Sequence, residues 1–172
     1  MKPSSSQSTP SKLTVKRLCR IALMSALLIA QEEALTFIPN IQLTQVLISV
    51  FLFTVGYIDT LFIIFIHVII DNFIMGSIHL IPWMLIAWMI LPTLLLLVRK
   101  SENLVLTTIF VGIHSFLYSW IFAIQSSLMF NISILPYFIQ DIPFELILAL
   151  NGIVTTLLFL KPLVYLTRKC NP

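Results

Sequence analysis

Charged side chains are scarce in this chain. Only 10% of its 172 residues are Asp, Glu, Lys or Arg, whereas roughly 25% is ordinary for a soluble domain. Hydrophobic residues make up 59%, and the mean hydropathy is +1.03. Apolar runs fill the sequence between about residues 18 and 166, which leaves no room for a soluble catalytic domain. We therefore expect one multi-pass domain, residues 15–172, in the bilayer of the cell membrane.

Cysteine and the common catalytic motifs are also rare or missing. The two cysteines, Cys19 and Cys170, lack metal-ligand spacing and lie beside basic residues, where a cytoplasmic location keeps thiols reduced. The patterns His-Glu-x-x-His and Gly-x-Ser-x-Gly and a phosphate-binding loop are absent from the sequence. We therefore expect no enzyme, no metal site and no cofactor. The Lys and Arg residues lie at helix ends without forming a basic face, so we expect no nucleic acid partner.

The apolar segments predict six helices after a disordered cytoplasmic tail, residues 1–14. We place the helices at residues 16–37, 42–55, 60–74, 79–98, 104–124 and 143–167, with residues 39–40 ending the first and a polar, aromatic connection over residues 125–140. Helices two and three are short, since a crossing needs about 20 residues. A re-entrant pair is the alternative, but it would bury Asp59 in hydrocarbon at roughly 3 kcal/mol or more. Two short or oblique crossings are favoured.

The distribution of charge predicts the orientation. All ten Lys and Arg residues lie before or at the start of helix one, after helix four, or from Lys161 onward. Six crossings with a cytoplasmic N-terminus place all of them inside, whereas five would leave the last three outside. We therefore predict an all-α bundle of six transmembrane helices with both termini in the cytoplasm. Five of the seven acidic residues then lie at the outer end, namely Glu32, Glu33, Asp71, Asp141 and Glu145, with Asp59 and Glu102 inside.

The outer polar residues are the candidate binding site, because ionisable groups at membrane depth are costly and tend to face a cavity or a partner. His67 and Asp71 are four residues apart and share a helix face. Such a pair can hold a metal, a polar substrate or each other, and a structural His–Asp pair is favoured over a metal. The full set of candidate substrate-binding residues is Glu32, His67, Asp71, His79, Trp83, Trp120, Glu145 and Asn151.

The aromatic residues and the lone asparagine of this set each have a second interpretation. Trp83 and Trp120 belong to a group of outer aromatics that ordinarily anchor helices at the bilayer interface. Some of them stacking on a planar ligand would instead suit a vitamin-sized pocket. Asn151 is a single polar residue in helix six, where an interhelical hydrogen bond is more common than a ligand contact.

A stripe of alanines runs along helix one. Ala22, Ala26, Ala30 and Ala34 recur at every fourth position and share one side of a helix. Small residues at this spacing let two helix backbones approach closely in lipid. The partner is either another helix of this chain or a separate membrane protein, and the residues alone favour the former.

Taken together, these features resemble the substrate-binding S-components of energy-coupling factor (ECF) transporters. The resemblance rests on the length of about 170 residues, six short helices, the basic start and the alanine stripe. The last helix adds to it, reading Ile142-Pro143-Phe144-Glu145 through Leu160-Lys161-Pro162-Leu163. The resemblance implies capture of a vitamin or related micronutrient from outside, and delivery through a membrane scaffold subunit and two ABC-type ATPases. It also implies that Ala22, Ala26 and Ala30 face the scaffold, which reverses the preference stated above.

The substrate is left open by this resemblance. No match to the thiamine, biotin, riboflavin or folate members is evident, and cobalamin or a related cofactor is kept as a guess. The outer carboxylates suit a ligand with a cationic or hydrogen-bond-donating edge. The alternatives from other classes are a stand-alone small-ion or metal transporter or channel, and a membrane scaffold protein without a substrate. A metal transporter needs His67, Asp71 and His79 to converge, and no internal repeat typical of secondary transporters relates the two halves.

Overall fold

The computed structural model describes residues 14–38, 41–131 and 133–170, and the chain in these ranges is helical without strands. The helices are α1 (Val15–Leu35), α2 (Thr44–Thr54), α3 (Tyr57–Ile74), α4 (Ile81–Leu95), α5 (Leu104–Phe130) and α6 (Ile134–Cys170), with a 3-10 turn at Ile78–Leu80. The all-α prediction is therefore confirmed. The predicted tail, apart from Thr14, and the predicted stop at residues 39–40 lie outside the described residues.

Four helical segments are long and apolar enough to cross a membrane, which indicates a membrane protein. They are Tyr57–Ile74, Ile78–Leu95, Leu104–Phe130 and Ile134–Lys169. Helix α1 has 21 residues, but charged residues near both of its ends shorten its apolar part. Helix α2 has only 11 residues, a length of roughly 16 Å at 1.5 Å per residue. It is therefore about half as long as the apolar core of a bilayer is thick.

The predicted connection over residues 125–140 is wrong, because most of it is helical. Helix α5 continues to Phe130, and Asn131 ends it in a left-handed conformation with φ 53°. Helix α6 then begins at Ile134, so that Pro136 lies in its first turn, where a missing N–H is tolerated. Pro143 lies inside α6 rather than at its start. All other predicted helix ends, including the C-terminus of α6, lie within three residues of the observed ones.

Helix α2 forms the centre of the bundle. Its residues from Thr44 to Phe53 are all buried, and it contacts α1, α3, α4 and α6. Gln45 links it to α5, since its Nε2 donates to Ser115 Oγ at 2.9 Å and lies 3.2 Å from His114 Nδ1. A Cβ atom on Gly152 of α6 would lie 1.9 Å from Gln45 Oε1. A larger residue at this position would therefore displace the side chains of Gln45 and Val111 where α6 crosses α2.

Ion pairs connect several helix termini at one end of the bundle. We call this end the basic end. Arg17 at the start of α1 donates from Nε and Nη2 to Asp59 Oδ1 at 2.8 and 2.5 Å, and Arg20 Nη2 donates to Oδ2 at 3.0 Å. Arg168 near the end of α6 pairs with Glu102 before α5. It also donates to the carbonyl oxygen of Phe53, at the end of α2, at 3.1 Å. The basic segments identified in the sequence therefore meet at one end.

Candidate ligand-binding site

A cavity of about 250 Å³ lies at the end of the bundle opposite the basic end. It forms beside the start of α2, because this helix is shorter than α1, α3 and α5 around it. Its lining residues are Glu32, Leu35, Thr36, Ile38, Ile41, Gln42, Asp71, Met75, Tyr118 and Leu148. We call it the carboxylate cavity, after Glu32 and Asp71.

Hydrogen bonds from two helices fix the floor of the carboxylate cavity. Gln31 of α1 accepts from the backbone N–H of Leu43 at 2.8 Å and donates to Thr44 Oγ1 at 2.7 Å. Asn151 of α6 donates to the carbonyl oxygen of Gln42 at 2.6 Å. Asn151 therefore joins α6 to the segment that precedes α2. These bonds hold the start of α2 deeper in the bundle than the ends of the neighbouring helices.

The charged side chains of the carboxylate cavity have few partners. His67 is fully buried, and its Nε2 lies 3.0 Å from Glu32 Oε2 without the alignment of a hydrogen bond. The ion-pair contact of His67 is thus Glu32, rather than Asp71 one turn away on α3. Asp71 is 5% exposed, and its Oδ1 has no hydrogen-bond partner among the described residues. Buried carboxylate oxygens are usually hydrogen-bonded, so this oxygen needs a partner that the described side chains do not supply.

A second cavity of about 170 Å³ adjoins the first. Tyr118 and Leu148 line both cavities and form the partition between them. The second cavity contains Glu145, which is 3% exposed and whose Oε1 lacks a hydrogen-bond partner in the described structure. It also contains Asp141, which accepts a hydrogen bond from Ser119. Two further carboxylates therefore lie just beyond the first pair.

A third, more apolar cavity of about 370 Å³ lies on the other side of Glu145. Trp120 and Phe138 line it and pack edge to face, with ring centroids 5.9 Å apart. Glu145 lines both the second and the third cavity. The three spaces are thus neighbours, with Tyr118 and Leu148 between the first two and Glu145 between the last two.

Sequence analysis did not select Tyr118, although it occupies the centre of this region. Its ring lies 4.9 Å from that of Trp88 and 5.1 Å from that of Phe122. His114, behind it, is fully buried and places Nε2 3.1 Å from the carbonyl oxygen of Ala87. His114, Tyr118 and Phe122 recur at every fourth position of α5. That spacing was the signal available in the sequence.

The structure brings together most of the predicted site residues. Glu32, Asp71, Trp120 and Glu145 line the cavities, and His67 contacts Glu32. His79 is exposed and Trp83 is half-buried near the start of α4, and neither lines these three cavities. Within the described ranges, no three His, Cys, Asp or Glu side chains are arranged to hold a metal ion.

The alanine stripe of α1 lies on the outside of the bundle. Ala22, Ala26, Ala30 and Ala34 are all exposed, whereas Ile21 and Leu28 on the opposite face are buried. The stripe therefore does not pack against the described helices of this chain. This differs from the preference that the residues alone had indicated.

The chain matches no family model, no curated protein and no solved structure. Its chemistry must accordingly be inferred from the geometry. The cavities present carboxylates, hydroxyl groups and aromatic faces, and no Lys or Arg is among the described residues that line them. This set of groups is suited to binding a small molecule that donates hydrogen bonds or carries positive charge.

Proposed function

We propose that the chain is the substrate-capture subunit, or S-component, of an ECF-type importer that takes up a vitamin or related micronutrient. The observation that carries the proposal is the group of adjoining, carboxylate-lined cavities beside the recessed start of α2. Ligand pockets commonly have about 300–1,000 Å³. The first two cavities have about 250 and 170 Å³, and the third has about 370 Å³.

The proposed orientation has six crossings, with both termini and the basic end in the cytoplasm. The positive-inside rule supports it, because the ion-paired basic segments share one end of the bundle. The carboxylate cavity then faces outward, toward incoming substrate. Helix α2 serves as a crossing despite its 11 residues, because protein rather than lipid surrounds it and its neighbours cover its ends.

The ligand proposed for this site has a cationic or hydrogen-bond-donating edge and a planar, apolar body. Asp71 and Glu145 each supply one buried carboxylate oxygen without a hydrogen-bond partner in the described structure. Tyr118 and Trp120 supply aromatic faces close to those acceptors. A bare anion would meet several carboxylates and no Lys or Arg in the described lining, which is electrostatically unfavourable.

Transport is proposed to require a membrane scaffold subunit and two ABC-type ATPases. The exposed alanine stripe supports this, since Ala22, Ala26 and Ala30 leave a shallow apolar surface where a second helix can approach closely. In the proposed cycle, ATP hydrolysis tilts the subunit in the bilayer and turns its loaded cavity toward the cytoplasm.

The deciding experiment is purification of the chain in mild detergent, followed by mass spectrometry of the small molecules that co-purify. We expect one vitamin-like compound in stoichiometric amount, and uptake by cells only when the scaffold and ATPases are co-expressed. If the purified chain alone moves ions or metals across liposomes and retains no compound, the importer assignment is wrong.

The orientation has its own test. In a background in which Cys19 and Cys170 are replaced by serine, Ser101→Cys at the basic end should react with impermeant thiol reagents only from the cytoplasm. Ser133→Cys, between α5 and α6, should react only from outside. Reaction of both positions from the same side would exclude the six-crossing arrangement.

A further inference from the structure

A separate groove of about 600 Å³ lies at the basic end, along the last part of α6. Its inner wall is apolar, with Leu160 3% and Val164 8% exposed. Phe53 at the end of α2 completes this wall. The three cavities of the proposed substrate site share no lining residue with the groove. It is therefore a distinct space.

The mouth of the groove is cationic because of the spacing along α6. Lys161, Tyr165 and Lys169 recur at every fourth residue and lie on one side of the helix. The two lysine positions are separated along the helix axis by roughly 12 Å, at 1.5 Å per residue. Tyr165 is 67% exposed, and its position on the helix lies between the two lysines.

The lysines are the groups available for an incoming anion. Arg168 also lines the groove, but it is bound to Glu102 and donates to the carbonyl oxygen of Phe53. This pairing neutralises Glu102, the one carboxylate among the lining residues described for the groove. Lys161 and Lys169 are exposed, and the described structure contains no ion pair with either. Positive charge is therefore in excess at the mouth.

The surface beside the groove favours a lipid as its occupant. Leu157, Leu158 and Leu166 on α6 are exposed, as expected for a helix face that contacts acyl chains. A groove with an apolar wall, open toward this face and cationic at the level of the headgroups, complements both parts of an anionic phospholipid. A soluble anion would use the lysines and leave the apolar wall without a function.

We propose that this groove binds an anionic phospholipid of the cytoplasmic leaflet. Its phosphate lies between Lys161 and Lys169, whose flexible stems reach the interface. One acyl chain lies against Leu160 and Val164. The lipid thereby covers the junction of α2 and α6 at the end of the bundle that Arg168 and Glu102 hold together.

The test uses the full chain in nanodiscs of phosphatidylcholine with a minor fraction of phosphatidylglycerol, and counts retained lipids by native mass spectrometry. We expect preferential retention of phosphatidylglycerol. Lys161→Gln with Lys169→Gln should weaken it by about fivefold for each lysine, since each basic residue near a membrane surface contributes a factor of this order. Lys161→Arg with Lys169→Arg should preserve it.

The matched control is Lys16→Gln with Lys100→Gln, which removes the same charge from exposed positions that do not line the groove. Retention should stay unchanged in this pair. An equal loss in both pairs would mean general surface attraction and would overturn the proposal. Displacement of the lipid by inorganic phosphate alone would mean a soluble-anion site and would also overturn it.

Discussion

The carboxylates at the two ends of the bundle have different partners. At the basic end, Asp59 accepts hydrogen bonds from Arg17 and Arg20, and Glu102 is bound to Arg168. At the opposite end, Asp71 and Glu145 are as deeply buried as Asp59, yet each has an oxygen without a hydrogen-bond partner in the described structure. The same chemical group is thus paired with arginines at one end, whereas at the other end one of its oxygens has no hydrogen-bond partner in the described structure.

The largest effect that follows from this difference is on stability. Asp59→Ala should lower the free energy of unfolding by about 3–5 kcal/mol, the usual cost of removing one partner from a buried ion pair. The reason is that Arg17 and Arg20, with side chains 17% and 28% exposed, lose their shared counterion. Thermal unfolding of the purified protein in detergent measures the change.

The matched variant for this prediction is Asp71→Ala at the other end. It removes an equally buried carboxylate that has no Lys or Arg partner described, and it relieves repulsion from Glu32. We therefore expect a much smaller loss of thermal stability than for Asp59→Ala. Equal destabilisation by the two variants would mean that the carboxylates at the two ends contribute equally to stability, against our expectation.

Ligand affinity should show the reverse pattern. Asp71→Ala and Glu145→Ala should each weaken binding of the co-purified compound about 10- to 100-fold, because loss of a buried polar partner costs about 1–3 kcal/mol. Glu102→Ala, at the basic end, should leave affinity unchanged. Isothermal titration calorimetry on the three purified variants gives the comparison, and wild-type affinity in both cavity variants would move the site elsewhere.

A variant in α1 tests whether coupling to a partner is independent of the carboxylates at both ends. Ala26→Leu adds bulk on the exposed stripe of α1, and overpacking of a close helix contact typically costs about 1–3 kcal/mol. Co-purification with the scaffold and cellular uptake should fall, while ligand affinity and melting temperature of the isolated chain stay the same. A variant that unfolds, or that loses ligand while retaining its partner, would show that the stripe packs internally.

The smallest effect is expected within the basic end itself. Glu102 and Arg168 have side chains 41% and 48% exposed, and exposed ion pairs contribute about 0–1 kcal/mol. Glu102→Ala should therefore lower the melting temperature far less than Asp59→Ala. A comparable decrease would mean that the contact of Arg168 with Phe53, rather than burial of charge, stabilises this end.

Charge patterning made the arrangement of the two ends predictable. The sequence placed Asp59 and Glu102 on the side of the basic residues, and both are in fact bound to arginines. It also grouped Glu32, Asp71 and Glu145, which line the adjoining cavities. Alternation of the helices accounts for the meeting of Glu32 and Asp71, which lie near the ends of α1 and α3, whereas Glu145 lies well inside α6.

The boundary between α5 and α6 was not predictable in the same way. Gln125 suggested a loop, yet it is 3% exposed inside α5, where its Nε2 lies 2.8 Å from Met129 Sδ. Pro136 suggested another break but lies in the first turn of α6. Local polarity and proline thus indicated a long interruption, whereas among the described residues α5 ends at a left-handed Asn131 and α6 begins at Ile134.

The residues that separate the cavities could also be identified only from the tertiary structure. Tyr118 is one of many aromatic residues in an apolar helix. Its sequence neighbours do not show whether it anchors the helix at the bilayer interface or lines a cavity. Only the packing of α5 against α4 and α6 places its ring beside Trp88 and Leu148. His79 and Trp83 were selected by residue type, and the same packing leaves them outside the cavities.

The burial of α2 has a consequence for the order of synthesis. Asn151, which holds Gln42 at the cavity floor, follows it by 109 residues, so translation separates the two by on the order of ten seconds. Until α6 emerges, an 11-residue helix carrying Gln45 and Ser49 lacks the length to cross a bilayer and lacks one of the four helices that bury it. Insertion of the last helix therefore completes both the burial of α2 and the floor of the carboxylate cavity.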